Sequence, residues 1–173
     1  MAALLHYIDN LERAACVRIS RYGERNAVRR FFAAVSRLGD GYYWAFVGIA
    51  CLLSGAPGAP GFAPRAGLTA LVGIGIYKLL KGSLVRERPY IAHPAVNCDT
   101  VPLDRYSFPS GHTLHAASFT VLFTSFDTAY LLLTAPFALL VAASRMILGL
   151  HYPSDVLAGA AIGAGLAMLA LAI

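Results

Sequence analysis

Charged residues are scarce in this chain: of 173 residues, nine are acidic and fourteen are lysine or arginine. The charged share of 13% is about half that of an average soluble domain, while hydrophobic residues reach 58%. The mean hydropathy of +0.62, with apolar runs that approach the roughly 20 residues needed to cross a bilayer, excludes an ordinary soluble domain. We therefore expect an integral membrane protein that forms one domain over residues 1–173.

Other absences narrow the possible functions. The three cysteines, Cys16, Cys51 and Cys98, lie far apart and match no metal-binding spacing. We expect three unpaired thiols, with a Cys16–Cys98 disulfide as the alternative. The sequence has no cluster of carboxylates that would hold magnesium, and we expect no cofactor. Because no apolar segment precedes a small-residue cleavage site, the first transmembrane segment is expected to direct insertion.

The net charge of +5 is carried mostly by arginines near the N-terminus. Residues 1–38 alternate these arginines with short apolar patches, which predicts one or two amphipathic helices lying on the membrane interface; a solvated basic face is the alternative. Nucleic-acid binding fits this hydropathy poorly, whereas anionic lipid headgroups explain both the charge and the apolarity. The arginines concerned are Arg13, Arg18, Arg21, Arg25, Arg29, Arg30 and Arg37.

The apolar runs predict an all-α, multi-pass transmembrane bundle with its core in residues 42–173. The long apolar stretch from residue 113 to 150 exceeds one crossing at 1.5 Å per residue, so we divide it near Asp127. A glycine- and proline-rich break at residues 55–61 separates the first two spans. Five spans result, or six if residues 1–38 contain another. They are predicted at residues 42–56, 66–80, 113–125, 128–150 and 153–173.

A histidine, an arginine and an aspartate stand inside an apolar region at residues 144–155. A charge at bilayer depth costs at least ~2.5 kcal/mol and is normally kept for a function. His151 can act at neutral pH as a nucleophile or proton carrier, and Asp155 can fix its tautomer. Arg145 is a permanent cation suited to an oxyanion, although on an ideal helix it lies about 120° from the side that His151 shares with Ser144.

Two further segments carry polar groups next to apolar helices. Lys81 and Arg88 are two helical turns apart, so on a continuing helix they could clamp a phosphate; snorkelling interfacial cations are the alternative. Ser110, Gly111 and His112 begin an apolar helix, whose free N–H groups and dipole form an anion site; a simple helix cap is the alternative. Two crossings separate this segment from residues 151–155, so all three segments can meet at one end of the bundle.

In the order Lys81-x6-Arg88-Pro89, Pro109-Ser110-Gly111-His112 and Ser144-Arg145-x5-His151-x3-Asp155, the chain closely resembles the type 2 phosphatidic acid phosphatase (lipid phosphate phosphatase) superfamily. The resemblance covers residues 81–155, and residues 1–40 add nothing to it. It implies that His151 is a nucleophile that forms a phosphohistidine and that Asp155 orients it. It also implies that His112 is a general acid and then a base. The implied phosphate ligands are Lys81, Arg88, Ser110, Gly111 and Arg145.

The resemblance implies a metal-independent phosphatase whose substrate is a phosphomonoester or pyrophosphate on a membrane lipid, such as undecaprenyl diphosphate, phosphatidic acid or phosphatidylglycerol phosphate. A lipid phosphotransferase with the same site and a non-enzymatic membrane scaffold of the same fold are the alternatives. No obligate protein partner is indicated. The resemblance favours a bacterial inner membrane with the site on the outer face, whereas the N-terminal arginines favour the cytoplasmic face.

Overall fold

The computed structural model describes residues 2–54, 59–96, 98 and 104–173, and within these ranges the protein is built from α-helices. Outside the helices, Glu87 and Tyr106 form one isolated antiparallel β-bridge. The predicted all-α class is confirmed. The helices are α1 Ala2–Ser20, α2 Asn26–Arg37, α3 Tyr43–Leu53, α4 Ala59–Leu84, α5 Pro89–Ala92, α6 Gly111–Phe126, α7 Leu131–Ile147 and α8 Pro153–Ala172.

The N-terminal region forms the two helices that its alternating pattern predicts, α1 and α2. A π-helical turn, Leu38–Tyr42, then joins α2 to α3. Within this turn Gly41 adopts a φ of +134°, a conformation that residues with a Cβ rarely take. The backbone therefore kinks at Gly41, and the turn holds Asp40 beside the start of α6.

The centre of the fold is the close contact between α6 and α8. A Cβ built on Gly163 would lie 2.1 Å from the Leu114 carbonyl oxygen, and one on Gly159 would lie 2.5 Å from that of Ser110. The Ser118 hydroxyl donates to the Gly163 carbonyl at 2.8 Å. Because glycine has no side chain, the two backbones approach as in tightly packed membrane helices. The contact brings the first residues of both helices together.

An apolar core lies between α3, α4, α6 and α7. Trp44 stacks on Phe119 with ring centroids 5.4 Å apart, and Phe62 meets Phe123 at 4.6 Å. Such aromatic pairs contribute about 0.5–1.5 kcal/mol beyond their buried area. The outer surface is apolar as well: Leu132 is 80% exposed. An apolar exterior of this kind suits contact with lipid rather than water.

Three of the described helical segments are long and apolar enough to cross a membrane: Gly61–Leu84, Thr128–Ile147 and Pro153–Ala172. These segments agree with three of the five predicted spans. The other two predicted spans correspond to α3 and α6, which have 11 and 16 residues. At 1.5 Å per residue they measure about 16 and 24 Å, less than the ~30 Å hydrocarbon core. The count of five spans therefore stays a prediction.

Several predicted boundaries need correction. The break at residues 55–61 is too long, because α4 already begins at Ala59; residues 55–58 lie outside the described part. The same helix ends at Leu84 and does not continue towards Arg88, since Val85 takes a φ of +46°. The seventh helix stops at Ile147 instead of residue 150, ahead of Gly149 at φ +70°. The division at Asp127 and the start of α8 at Pro153 are confirmed.

Candidate active site

Lys81 and Arg88 meet at one carboxylate, that of Asp104. The Lys81 Nζ lies 2.8 Å from Asp104 Oδ2, and the Arg88 Nη2 lies 2.7 Å from Oδ1. Arg88 also donates from Nε to the Asp104 carbonyl at 2.9 Å. The expectation that both cations project from one continuing helix is wrong, because that helix ends at Leu84. The irregular backbone after Leu84 nevertheless brings the two cations to the same place.

His151 lies in the turn between α7 and α8 and is almost fully buried. Its Nδ1 lies 3.6 Å from Asp155 Oδ2, and its Nε2 lies 3.3 Å from Arg88 Nη1. The backbone N–H groups of Leu150 and His151 both donate to the Arg145 carbonyl, at 3.0 and 3.1 Å. This turn points Nε2 towards the cations and leaves Nδ1 towards the aspartate, as the predicted pairing of His151 with Asp155 requires.

Asp155 is fully buried and held from two sides. Its Oδ2 accepts from the Tyr152 backbone N–H at 2.8 Å, and its Oδ1 accepts from Arg86 Nη1 at 2.8 Å. The neighbouring Glu87 takes no part in this contact and pairs with Arg105 at 2.6 Å, where both side chains are exposed.

Arg86 connects the site to the N-terminal helix α1. Its Nη2 lies 2.5 Å from Glu12 Oε2, and its Nη1 donates to the Ser154 hydroxyl at 2.7 Å. Glu12 also accepts from the Ser154 backbone N–H at 2.9 Å. Burial raises the pKa of Glu12, but its hydrogen bonds with Ser154 and Arg86 together lower that pKa by more. The net pKa lies below the ordinary value, so the carboxylate is ionised. One arginine thus joins α1 to the start of α8.

Ser110 caps helix α6, which the sequence analysis gave as the alternative for this segment. Its side chain accepts from the Thr113 backbone N–H at 3.5 Å and also contacts the Thr113 hydroxyl at 3.0 Å. The Ser110 backbone N–H donates to the Asp155 carbonyl at 3.0 Å, which ties the start of α6 to α8. Gly111 and His112, the first residues of the helix, have no i−4 carbonyl inside it, so their N–H groups suit an anion.

His112 is bonded to a residue that sequence reasoning did not select. Its Nε2 lies 2.5 Å from Asp40 Oδ1, in the π-helical turn. The hydrogen bond with His112 lowers the pKa of Asp40 more than its partial burial raises it. This aspartate is therefore an anion beside the imidazole at neutral pH.

Arg145 is buried, and its guanidinium donates to the Ser36 hydroxyl on α2. The Arg145 Nε and the His151 Nδ1 are buried polar atoms for which the described residues provide no hydrogen-bond partner. Buried polar atoms without a hydrogen-bond partner are uncommon in native proteins. A bound anion would be such a partner for the Arg145 Nε. On an ideal helix Arg145 would point away from His151, but in the structure both side chains line one cavity.

One open cavity of ≈ 1480 Å³ collects these side chains. The imidazoles of His112 and His151 line it together with basic side chains and two carboxylates. Burial first, and then the nearby cations Arg145 and Arg88, lower the pKa of His151 well below its ordinary value, so its ring is neutral and nucleophilic at neutral pH. The lining residues that matter here are Lys81, Arg88, His112, Arg145, His151, Asp40 and Asp104.

Sequence reasoning missed Asp40, Asp104, Arg86, Glu12 and Ser36 as members of the site. Asp104 carried a weak signal, since it stands in a polar loop between two motifs, but residues 1–40 carried none. In the described part of the chain, no group of three His, Cys, Asp or Glu side chains is arranged to hold a metal ion. The cations and helix N-terminus favour a tetrahedral oxyanion instead.

The fold and the site define a helical membrane protein in which histidines and cations from three separate sequence motifs line one cavity. Residues 63–173 match the PAP2 superfamily, and the chain belongs to that family. The resemblance carried by the three motifs is thereby confirmed.

Several proteins of known function are similar to this chain. Decaprenylphosphoryl-5-phosphoribose phosphatase of Mycobacterium tuberculosis (strain ATCC 25618 / H37Rv) is 38% identical over 101 residues, which cover 57% of this chain and 54% of that protein. Lipid A 1-phosphatase of Rhizobium johnstonii is 34% identical over 95 residues, covering 53% of this chain and 39% of the relative. The chain therefore spans about half the length, or less, of these curated relatives.

Two crystal structures share the fold. The LpxE structure from Aquifex aeolicus aligns with a TM-score of 0.77 and 25% identity, covering 91% of this chain and 93% of that one. A transmembrane PAP2-type phosphatidylglycerolphosphate phosphatase from Bacillus subtilis aligns with a TM-score of 0.71 and 21% identity, covering 99% of this chain and 89% of its own. The second likeness extends over the N-terminal helices, which lie outside the matched family region.

Proposed function

We propose that this protein is a lipid phosphate phosphatase that transfers a phosphoryl group first to His151 and then to water. The observation that carries the proposal is that His112 and His151 line one cavity together with the motif cations Lys81, Arg88 and Arg145. Phosphoryl transfer depends mainly on positioning and on neutralising the charge of the equatorial oxygens. Lys81, Arg88 and Arg145, with the N-terminus of α6, supply that charge.

In the first half of the reaction, the lone pair on His151 Nε2 attacks the phosphorus atom. The bond between phosphorus and the lipid oxygen breaks, and protonated His112 gives its proton to the departing oxygen. Asp155 stabilises the positive charge that develops on the His151 ring, because its Oδ2 faces Nδ1 at 3.6 Å. A small approach of the two groups on substrate binding would close a hydrogen bond.

In the second half, His112 is neutral and takes a proton from water as that water attacks phosphorus. The phosphorus–nitrogen bond breaks, and inorganic phosphate leaves with His151 again neutral. The net reaction converts one phosphate ester or anhydride and one water into a free lipid product and phosphate. His112 ends in the protonated state in which it began.

The substrate class is a phosphate on a membrane lipid, either a monoester or a diphosphate. The relatives' names support this class, since they include decaprenylphosphoryl-5-phosphoribose phosphatase, lipid A 1-phosphatase and undecaprenyl-diphosphatase. The apolar exterior and the three membrane-length helices support a substrate that resides in the bilayer. We propose the bacterial inner membrane as its location.

The proposal is tested with purified protein in detergent, in the presence of a chelator, against undecaprenyl diphosphate, phosphatidic acid and phosphatidylglycerol phosphate. We expect phosphate release from at least one lipid, abolished by His151→Ala and retained by Arg105→Gln, which alters an exposed ion pair. Full activity in His151→Ala would reject the phosphohistidine route. Transfer of phosphate to an added lipid alcohol, detected by mass analysis, would instead identify a phosphotransferase.

The face of the membrane on which the site lies is a separate proposal. We propose the outer face, on the resemblance to the family. The N-terminal arginines lie at the same end as the site, because Glu12 of α1 contacts Ser154, and the positive-inside rule would place that end in the cytoplasm. A cysteine introduced at Arg105, whose side chain is 67% exposed, would decide the question by labelling of intact cells with an impermeant maleimide, with Cys98 replaced by serine.

A further inference from the structure

We propose that Asp40 is a positioning residue for His112, and that it stabilises the protonated imidazole when His112 acts as a general acid. The inference rests on the proposed function and extends it to a segment that lies outside the matched family region, residues 63–173. The direct observation is the 2.5 Å distance between His112 Nε2 and Asp40 Oδ1. The site therefore contains two aspartate–histidine pairs, one for each imidazole.

The backbone around Asp40 is built to hold it at the cavity. Gly41 accepts the kink at φ +134°, and Gly39 packs against Val141 so closely that a Cβ would lie 3.0 Å from a side-chain methyl. The π-helical turn Leu38–Tyr42 thus packs on α7 at Gly39 and bends at Gly41. Asp40, between these two glycines, has its position set by the chain and not only by its bond to His112.

The charges around His112 explain why a carboxylate is needed there. Burial first, and then Arg145 from α7 and Lys81 from α4, disfavour a positive charge on His112 and lower its pKa, whereas Asp40 acts in the opposite direction. His151 lies across the cavity, and His115 follows on the same helix, packed against Tyr77. A general acid must carry a proton before it can donate one, so in this cationic site it requires an anion of its own. Asp40, with Arg37 nearby, is that anion.

The contact also assigns the two nitrogens of the His112 ring. Since Nε2 is held by Asp40, Nδ1 is the nitrogen that exchanges a proton with the departing lipid oxygen. The arrangement resembles that of His151, where Nδ1 faces an aspartate and Nε2, 3.3 Å from Arg88 Nη1, is the atom proposed to attack phosphorus. Asp155 is completely buried, whereas the Asp40 side chain is 50% exposed, so Asp40 can be replaced with less damage to folding.

The test compares Asp40→Asn with the matched control Asp127→Asn, which changes an aspartate that caps a 3-10 turn away from the cavity. Phosphatidic acid in detergent micelles needs a proton on its departing oxygen, whereas p-nitrophenyl phosphate does not. We expect Asp40→Asn to lower kcat on phosphatidic acid about 10- to 100-fold and to leave the burst of p-nitrophenolate within about three-fold of the parent. The alkaline limb of the kcat profile should move to lower pH, because a neutral amide stabilises imidazolium less.

Asp127→Asn should change neither kcat nor the pH profile. If Asp40→Asn fails to fold by thermal unfolding, Asp40→Glu is measured instead and should keep the alkaline limb in place with reduced kcat. If Asp40→Asn leaves kcat and the alkaline limb unchanged while His112→Asn is inactive, the proposed role of Asp40 is overturned. The proposed role of His112 would then still stand. Full activity of His112→Asn on phosphatidic acid would overturn the proposed function of His112 itself.

Discussion

The carboxylate of Asp104 lies 2.7 Å from the Arg88 guanidinium and 2.8 Å from the Lys81 ammonium group. These are two of the cations that we propose for substrate phosphate. The two cations lower the pKa of Asp104 more than its partial burial raises it, so the aspartate is ionised here. In this structure the two cations are thus already paired with an internal anion, which would compete with a bound phosphate for them.

Asp104→Asn should strengthen the binding of free phosphate. A neutral amide no longer competes for Lys81 and Arg88, so the inhibition constant for inorganic phosphate should fall about two- to five-fold, a small effect because the carboxylate is 40% exposed. Glu87→Gln, which changes the exposed pair with Arg105, serves as the control and should leave inhibition unchanged. Weaker inhibition by phosphate in Asp104→Asn would show that the aspartate supports the cations instead of competing for them.

Arg86→Met should reduce both activity and stability. The change removes the guanidinium bonded to Asp155 and Glu12 and leaves a fully buried carboxylate without its cation, which costs about 3 kcal/mol. We expect kcat to fall at least about ten-fold, because Asp155 no longer holds its place beside His151. Kinetics and thermal unfolding in detergent measure the two effects. Arg105→Met should change neither, and equal effects from both arginines would contradict a specific role for Arg86.

Gly163→Ala and Gly165→Ala form a matched pair on α8. The Cβ at Gly163 would lie 2.1 Å from the Leu114 carbonyl oxygen, whereas the Cβ at Gly165 meets nothing within 4 Å. We expect Gly163→Ala to destabilise the protein by about 1–3 kcal/mol and to lower activity, since it separates α6 from α8. Gly165→Ala should be neutral or stabilising by up to about 1 kcal/mol. Similar unfolding temperatures for the two variants would contradict the close contact.

Acidification should destabilise the folded protein through His151. Burial and the neighbouring cations Arg145 and Arg88 lower its pKa in the folded state, so the unfolded chain binds more protons as the pH falls below its ordinary value of about 6.5. Stability is therefore retained above that pH and lost below it. Thermal unfolding between pH 7.5 and 5 should show this loss in the parent and a shallower loss in His151→Asn. Identical pH dependence in the two proteins would contradict a buried neutral His151.

The sequence indicated the candidate site because its polar residues lie close together in short motifs that interrupt apolar runs. An arginine, a histidine and an aspartate in an apolar run are costly, so their presence alone pointed to the site. The start of α8 at Pro153 also followed from residue type, and the cap at Ser110 was the alternative given for its segment. The lengths of the apolar runs gave the approximate spans.

The partners of these residues could not be predicted, because they come from distant segments. Asp40 and Glu12 are ordinary acidic residues in an amphipathic region, and pattern alone gives no reason to place them beside His112 and Arg86. The end of α4 was also hidden, since Val85 is apolar and gives no sign of a positive φ. In both cases tertiary packing decides what local propensity leaves open.

The hydrogen bond from the Ser110 N–H to the Asp155 carbonyl links the helix that bears His112 to the helix that follows His151. Both imidazoles are consequently tied to one lateral contact between the starts of α6 and α8. We therefore expect the reaction rate to change with a lipid or detergent that alters the packing of α6 against α8, although no reacting group is touched. Reconstitution into bilayers of graded acyl-chain length is thus a way to vary this helix contact and to measure its effect on turnover.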